Sequence, residues 1–231
     1  MSLFKPVSMS CPHCAKTLEF QASASVNADR RPDLRAAILD GSFQRENCPH
    51  CGESFRAEPE LNYLDVGRGQ WIAAFPVEWV DRWPELESDS VEAFTQAFGV
   101  QASDAAREIG DTLKPRMVFG WLALAEKLLA AEGQLDDATL ELTKLALMRG
   151  LDEPLEVGQQ LRLIGSDGHD LSFLIVGRDG ADDEAAEELD VPRDLYDDVA
   201  GQPADWHALR GKVSAGYFVD VARMTRGPEE D

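Results

Sequence analysis

The residues best suited to chemistry are four cysteines arranged as two Cys-Pro-His-Cys motifs near the start of the chain. Two residues between the thiolates of each pair allow one tight turn to direct both sulfurs at a single ion. Four thiolates match the softness and the tetrahedral geometry that Zn²⁺ prefers in proteins. The expected ligands of one structural Zn²⁺ are therefore Cys11, Cys14, Cys48 and Cys51.

The two motifs form an internal repeat, because CPHCAKTLEF and CPHCGESFRA agree in the pattern of small, charged, hydroxyl and apolar residues after the second cysteine. Two similar knuckles that face each other across an ion are typical of a zinc ribbon. Gly52 supplies a permissive backbone after the second knuckle, whereas Ala15 takes that place in the first. The 33 residues between the pairs exceed the spacer of a compact ribbon and indicate an insertion.

A redox function is the alternative interpretation of these motifs, because Cys-Pro-His-Cys is also the active-site tetrapeptide of disulfide oxidases with a thioredoxin fold. In those proteins the motif follows a buried strand and opens a helix, which lowers the pKa of the first thiol. Neither copy has that context here, since KPVSMS precedes the first and short strands of alternating polarity follow both. We also expect His13 and His50 not to be ligands, because the middle side chains of a two-residue knuckle point outward.

The elements around the knuckles can be predicted from local pattern. PDLRAAILD, residues 32–40, predicts a short helix between the two knuckles, with proline in its first turn and Gly41 as its stop. LNYLDV and GQWIAAFPVEW predict strands that extend a small antiparallel sheet. The aromatic residues in and after these strands are expected to pack in the core rather than to form a binding platform; they are Trp71, Phe75, Trp79 and Trp83.

The middle of the chain predicts a helical hairpin. Apolar residues repeat at helical spacing from Trp121 to Gly133, and Asp136 opens a second leucine-rich helix that ends at Gly150. Most of this apolar surface should be core, and the remainder could bury against a partner or a second copy. Further along, QLRLIG and DLSFLIVG predict a β-hairpin, RDGADDEAAEELD a solvated acidic loop, RDLYDDVA and ADWHALRG short helices, and GYFVDVARM a closing strand or turn.

These patterns predict an α+β protein with three regions. Residues 1–84 form a zinc-ribbon-like antiparallel β module with an inserted helix. Residues 85–150 form a helical region with the α-hairpin, and residues 151–231 form a small α+β region.

The charge of the chain limits its partners, because 22 basic and 43 acidic residues give 22 − 43 = −21. A phosphate backbone and an anionic membrane surface both require clustered cations, so we expect neither nucleic acid nor membrane as a partner. The four arginines between the knuckles are matched by four acids in residues 27–47; they are Arg30, Arg31, Arg35 and Arg45. Without a secretion signal or an apolar span, the expected location is cytoplasmic.

The knuckles and the segment that joins them, VNADRRPDLRAAILDGSFQRENCPHCGESF, resemble the CpXC family, a bacterial and archaeal group with paired Cys-Pro-x-Cys motifs. The similarity continues through LALAEKLLAAEGQLDDATLELTKLALMRG, so that it covers about two thirds of the chain. The resemblance implies that the four cysteines are zinc ligands. It implies no reaction.

Together these features favour a non-enzymatic zinc-binding scaffold or adaptor that acts through protein–protein contacts. The expected partner is an unidentified protein, with a basic one favoured by the acidic charge, and a homo-oligomer is left open. The first alternative is a nucleic-acid-associated zinc ribbon. The second is an enzyme with a C-terminal pocket that uses His169, Asp170 or His207, although no recognisable nucleophile accompanies these residues.

Overall fold

The N-terminal part of the chain is built from strands around one helix. The computed structural model describes residues 3–151, 153–177 and 187–225. Its first elements are β1 (Leu3–Ser10), β2 (Thr17–Asn27), α1 (Pro32–Leu39), β3 (Arg45–Asn47), β4 (Ser54–Arg56), β5 (Leu61–Asp65) and β6 (Gln70–Phe75). The predicted inserted helix is therefore confirmed, with Pro32 at its first position.

The middle of the chain is mainly helical. It contains a 3₁₀ helix (Val77–Arg82), α2 (Trp83–Phe98), α3 (Asp104–Gly110), β7 (Lys114–Phe119), α4 (Trp121–Glu132) and α5 (Asp137–Gly150). The helical hairpin is confirmed as α4 and α5. The prediction of a strand through VEW was wrong, because β6 ends before Pro76, which lacks the N–H that a ladder requires, and the chain then turns into the 3₁₀ helix.

The C-terminal elements are β8 (Gln160–Ser166), β9 (Asp170–Val176), β10 (Glu187–Pro192), α6 (Asp194–Gly201), α7 (Pro203–Val213) and α8 (Ala222–Thr225). The predicted β8–β9 hairpin and the two short helices are confirmed. The acidic segment was predicted to be a loop, but its last residues form β10 and pair with β9, while residues 178–186 lie outside the described residues. No closing strand forms in the described part of GYFVDVARM, where α8 is found instead.

A five-stranded sheet in the order β1-β2-β5-β6-β7 connects the N-terminal strands with β7. The β1–β2 and β5–β6 pairs are antiparallel, whereas β2–β5 and β6–β7 are parallel. Strand β7 was not predicted. The sheet thus extends beyond residue 84, and the division into three regions stays a prediction.

Both faces of the part of this sheet formed by β5, β6 and β7 are covered. One face packs against α1 and α4 through residues such as Tyr63, Ile72 and Leu128. The other face carries Trp71, Trp83 and the segment around Phe218, so that these two tryptophans are core residues as predicted. A third core joins the α4–α5 hairpin to the sheet β10-β9-β8, and α4 thereby contributes to two cores.

Candidate metal centre

Each Cys-Pro-His-Cys motif lies in the turn of a β-hairpin. The first knuckle joins β1 to β2, and the second joins β3 to β4. The same two backbone hydrogen bonds close both turns. The donors and acceptors are Cys11 N to Lys16 O (2.9 Å) and Ala15 N to Cys11 O (2.9 Å) in the first turn, and Cys48 N to Glu53 O (2.9 Å) and Gly52 N to Cys48 O (2.8 Å) in the second.

The residue after each knuckle has a left-handed backbone conformation, with φ of 58° at Ala15 and 79° at Gly52. Glycine adopts this conformation without steric cost, whereas an alanine Cβ is strained there. The repeat inferred from the sequence is therefore also a repeat of backbone geometry. The first knuckle is the more strained of the two, because it has Ala15 where the second has Gly52.

The knuckles bring all four sulfurs together, and we call Cys11, Cys14, Cys48 and Cys51 the sulfur cluster. The Sγ–Sγ distance is 3.8 Å for Cys11 and Cys51, and again 3.8 Å for Cys14 and Cys48. All four Sγ atoms lie within 4.8 Å of one another. Sulfurs placed about 2.3 Å from one ion would lie about 3.8 Å apart at the corners of a tetrahedron, whereas a disulfide requires about 2.05 Å. These distances fit four cysteines that form no disulfide and that could bind one metal ion together.

The two histidines of the motifs do not belong to the sulfur cluster. His13 Nε2 donates to the carbonyl of Ser54 at 3.1 Å, and His50 Nε2 donates to the carbonyl of Thr17 at 3.2 Å. Each histidine therefore contacts the first residue of the strand that follows the opposite knuckle. Both side chains thus join the two hairpins that carry the sulfur cluster.

The local electrostatics favour ionisation of Cys48 before Cys51. Burial opposes the ionisation of Cys48, but the backbone N–H groups of His50 and Cys51 and the neighbouring thiols lower its pKa to about 6. At Cys51 the N–H of Glu53 acts in the opposite direction, but burial and the adjacent sulfurs raise its pKa to about 12. A thiolate at Cys48 therefore opposes the formation of a second thiolate at Cys51, and a cation beside both sulfurs would reduce this repulsion.

The apolar core beneath the sulfur cluster is small. Cys11 and Cys48 are buried, Cys14 is half-buried and Cys51 is exposed. The buried residues around them are Leu18, Phe55 and Ala57, with Phe20 packed edge-on against Phe55 at 6.4 Å between ring centroids.

A second group of potential metal ligands lies beneath the C-terminal region, where the carboxylates of Glu126, Glu141 and Asp220 come within 4.8 Å of one another. Three basic side chains lie among these carboxylates. We call the six residues the ion cluster: Glu126, Lys127, Glu141, Lys144, Arg162 and Asp220.

Short ion pairs connect the ion cluster internally. Lys144 Nζ lies 3.0 Å from Glu126 Oε1 and 2.9 Å from Glu141 Oε2. Arg162 Nη1 lies 3.1 Å from Glu126 Oε1 and 2.7 Å from Asp220 Oδ2. Lys127 Nζ donates to the carbonyl of Val219 at 2.6 Å and pairs with Glu141 at 3.3 Å. Each of the three carboxylates is thus paired with at least one basic side chain of the chain itself.

The ion cluster also binds backbone groups from two other parts of the chain. Glu126 accepts from the N–H of Leu163 at 2.8 Å, and Glu141 accepts from the N–H of Val221 at 3.0 Å. Burial raises the pKa of Asp220, but the charges of Arg162 and Lys144 outweigh it and hold that pKa well below its usual range. The cluster therefore fastens β8 and the segment before α8 to the α4–α5 hairpin.

Sequence reasoning missed the ion cluster, because α4 and α5 were interpreted from their leucines alone. A signal was present, since each helix carries both an acid and a lysine within an otherwise apolar segment: Glu126 and Lys127 in α4, Glu141 and Lys144 in α5. Charged residues are almost never fully buried unless they are paired. These four residues therefore had to find partners inside the fold.

The C-terminal candidates for catalysis are not assembled into a site. His169 and His207 are exposed, and neither belongs to a group of potential metal ligands among the described residues. Asp170 starts β9, and its N–H, like that of His169, donates to Asp167 Oδ1 at 2.9 Å. No helix among residues 3–151, 153–177 and 187–225 is long and apolar enough to span a bilayer.

Comparison with known proteins identifies the paired knuckles. The family model described as CpXC protein matches residues 9–144, which includes both knuckles, the inserted helix and the hairpin as far as Lys144. No curated protein and no solved structure matches the chain.

Proposed function

The chain belongs to the CpXC family, and from that premise we propose that it is a scaffold or adaptor whose N-terminal module is held together by a structural Zn²⁺. The ligands would be Cys11, Cys14, Cys48 and Cys51. The observation that carries the proposal is the pair of 3.8 Å Sγ–Sγ distances, which match the edge of a Zn(Cys)₄ tetrahedron.

A structural role is favoured over a catalytic one because four protein ligands complete the tetrahedron. A catalytic zinc site keeps one position for water or substrate. Bound Zn²⁺ would supply the positive charge that lets all four thiols ionise. The histidines then orient the two turns, since each is tied to the opposite hairpin.

The module needs such an ion because it buries few apolar side chains near the knuckles. Metal binding to a site that exists only in the folded state contributes directly to folding free energy. We therefore propose that Zn²⁺ bound to the four cysteines provides the stability that a larger apolar core would otherwise provide.

For the partner, we propose a basic protein that docks on the C-terminal half, away from the metal. Exposed acids are concentrated in β10 and α6, and complementary charge accelerates and orients association. They are Glu187, Glu188, Asp190, Asp194, Asp197 and Asp198. A second copy of the chain is the other partner that we propose, through strand β1, whose Leu3 and Phe4 side chains are 60% and 41% exposed.

Metal quantification on Cys48→Ser tests the structural zinc. We expect wild type to contain one zinc per chain, and Cys48→Ser to lose it together with the ordered structure of the knuckle hairpins. Glu53→Gln, an exposed change in the same turn, should keep both. A metal-free Cys48→Ser protein with an intact N-terminal fold would overturn the structural role.

Matched charge variants test the docking surface. Asp194→Asn/Asp197→Asn/Asp198→Asn should weaken capture of a basic partner, and added salt should weaken the capture by wild type. Neutralising three exposed acids of the N-terminal module should leave capture unchanged; they are Glu19, Glu46 and Glu53. Equal loss in both variants would place the docking surface elsewhere.

The nucleic-acid alternative has a direct test of its own. Two arginines between the knuckles are already paired with acids: Arg31 with Asp33 at 2.6 Å, and Arg35 with Glu132 at 2.8 Å. We expect no salt-dependent shift of single-stranded DNA or RNA. Such a shift at physiological ionic strength, lost on Arg30→Gln/Arg45→Gln, would replace the adaptor proposal.

A further inference from the structure

A cavity of about 420 Å³ lies beside the ion cluster, between the C-terminal half of α5, β8 and the segment before α8. Its apolar walls come from all three, through Leu145, Met148, Leu161 and Val221. Its charged wall is formed by Lys144, Arg162 and Asp220, which are only 2%, 7% and 5% exposed, together with the exposed Asp81. Apolar walls with a few fixed polar groups are typical of small-molecule sites.

Arg162 is the polar side chain in this wall whose hydrogen-bond donors are not all used. Its Nη1 donates to Glu126 and Asp220, and its Nη2 donates to Gln160 Oε1. Among the described residues, its Nε donates to nothing. A guanidinium carries five donors, and the Nε–Nη2 edge matches the two oxygens of a carboxylate. Arg162, which lines the cavity, thus has one incompletely bonded edge.

We propose that this cavity binds a small organic monocarboxylate with an apolar body. The carboxylate would accept hydrogen bonds from the Nε–Nη2 edge of Arg162, with Gln160 moving aside from Nη2. The hydrocarbon body would lie against Leu145, Met148 and Val221. The site is independent of the sulfur cluster.

In the cavity wall, Arg162 rather than Asp220 is the group that can receive a ligand. Both oxygens of Asp220 already accept hydrogen bonds, from Arg162 and from the N–H of Ala222.

A neighbouring cavity of about 370 Å³ shares Gln160 and Arg162 but extends toward the first knuckle, between Pro12, Trp121 and Leu122. It lacks the apolar α5 wall, and its charged lining consists of Arg45, Arg56, Glu58 and Arg162. We therefore place the ligand in the larger cavity, and the two sites can be separated by blocking each of them.

Isothermal titration calorimetry with three eight-carbon probes tests the ligand class. We expect octanoate to bind once per chain, octanol at least tenfold more weakly, and octylammonium not measurably. Absence of octanoate binding, or equal binding of octylammonium, would overturn the proposal.

Blocking variants test the location. Met148→Trp fills the larger cavity and should abolish octanoate binding, whereas Leu122→Trp fills the neighbouring cavity and should retain it. The reverse pattern would place the ligand near the first knuckle and contradict the assignment. Binding unaffected by either variant would also contradict it.

Arg162→Lys tests the carboxylate contact while keeping the positive charge of the ion cluster. We expect octanoate to bind at least tenfold more weakly and octanol to bind as before. If this variant does not fold, methyl NMR of wild type labelled at methionine replaces it. Octanoate should then shift the Met148 methyl resonance, and a resonance unchanged at saturating octanoate would overturn the proposal.

Discussion

The sulfur cluster and the ion cluster both collect acidic ligand atoms within 4.8 Å, but only the ion cluster contains its own cations. Lys127, Lys144 and Arg162 neutralise the three carboxylates from inside the chain. No basic side chain is among the groups that shift the pKa values of Cys48 and Cys51. The ion cluster is therefore balanced from inside the chain, whereas the proposed Zn²⁺ would balance the sulfur cluster from solution.

This difference shows that proximity of ligand atoms alone does not indicate a metal site. The deciding property is the net charge of the ligand atoms together with the charged side chains that surround them. By that criterion internal ion pairs hold the C-terminal half, and the proposed Zn²⁺ would hold the knuckles. Each half should then respond to a different perturbation.

Removal of zinc by a chelator at neutral pH should have the largest effect. A structural Zn²⁺ contributes on the order of 10 kcal/mol of apparent binding free energy, and the knuckles have little core to replace it. We expect rapid amide exchange in residues 3–20 and 45–56, with α4 and α5 still protected, in hydrogen-exchange mass spectrometry. Equal loss of protection across the chain would show that the halves are not held separately.

Glu126→Gln should have the next largest effect, in the other half. It removes the carboxylate shared by Lys144 and Arg162, and loss of one partner in a buried ion pair costs about 3–5 kcal/mol. We expect this decrease in urea unfolding without loss of zinc.

Glu132→Gln is the matched control for Glu126→Gln. It lies in the same helix, and its ion pair with Arg35 is largely exposed on the glutamate side. The change should cost less than about 1 kcal/mol. If the two variants are equally stable, the ion cluster does not hold the C-terminal half.

Acid should weaken the start of α5 through Asp136, whose side chain accepts from the N–H of Thr139. Partial burial opposes its ionisation, but this N–H, Arg210 and Lys114 lower its pKa to about 2. A lowered pKa stabilises the fold above the unfolded value of 3.8, and this contribution is lost as pH falls from about 4 to about 2.

Asp136→Asn measures that contribution. Because the Asp136 side chain is 38% exposed, we expect wild type to exceed the variant by only about 1 kcal/mol at pH 6. The difference should disappear near pH 2. Loss of zinc in acid affects both proteins and cancels in the comparison. A difference that grew on acidification would contradict the assignment.

The smallest effects on stability should come from single substitutions of the residue that follows each knuckle. Ala15→Gly relieves a left-handed alanine and should stabilise the metal-bound protein by about 0.5 kcal/mol. Gly52→Ala should destabilise it by about 1 kcal/mol, although no atom lies within 4 Å of the added Cβ. Thermal unfolding of the zinc-loaded proteins measures both. Shifts of the same sign would show that the two turns are not equivalent.

Features set by short-range pattern were predictable from the sequence. The cysteine spacing identified the four sulfurs, and proline and glycine marked the ends of α1. Strand β7 was missed because KPRMVF is short, contains Pro115 and is stabilised by parallel pairing with β6, whose residues lie about 40 positions earlier.

The ion cluster was unpredictable for a related reason. Its partners come from four separate segments, and Arg162 reaches a carboxylate 58 positions away. Local periodicity carries no information on such pairing. The buried charges of α4 and α5 indicated that partners must exist, but only the fold identifies them.

The histidine of each knuckle hydrogen-bonds to the strand that follows the other knuckle, and this reciprocal contact has a consequence for biosynthesis. Neither turn can make its cross-contact until both have left the ribosome, and 37 positions separate Cys14 from Cys51. At typical synthesis rates of about 5–20 residues per second, the first pair waits roughly 2–7 seconds as an open dithiol. Binding of the proposed Zn²⁺ would therefore follow the synthesis of both knuckles, and until then the thiols of the first knuckle would be open to oxidation or to another thiophilic ion.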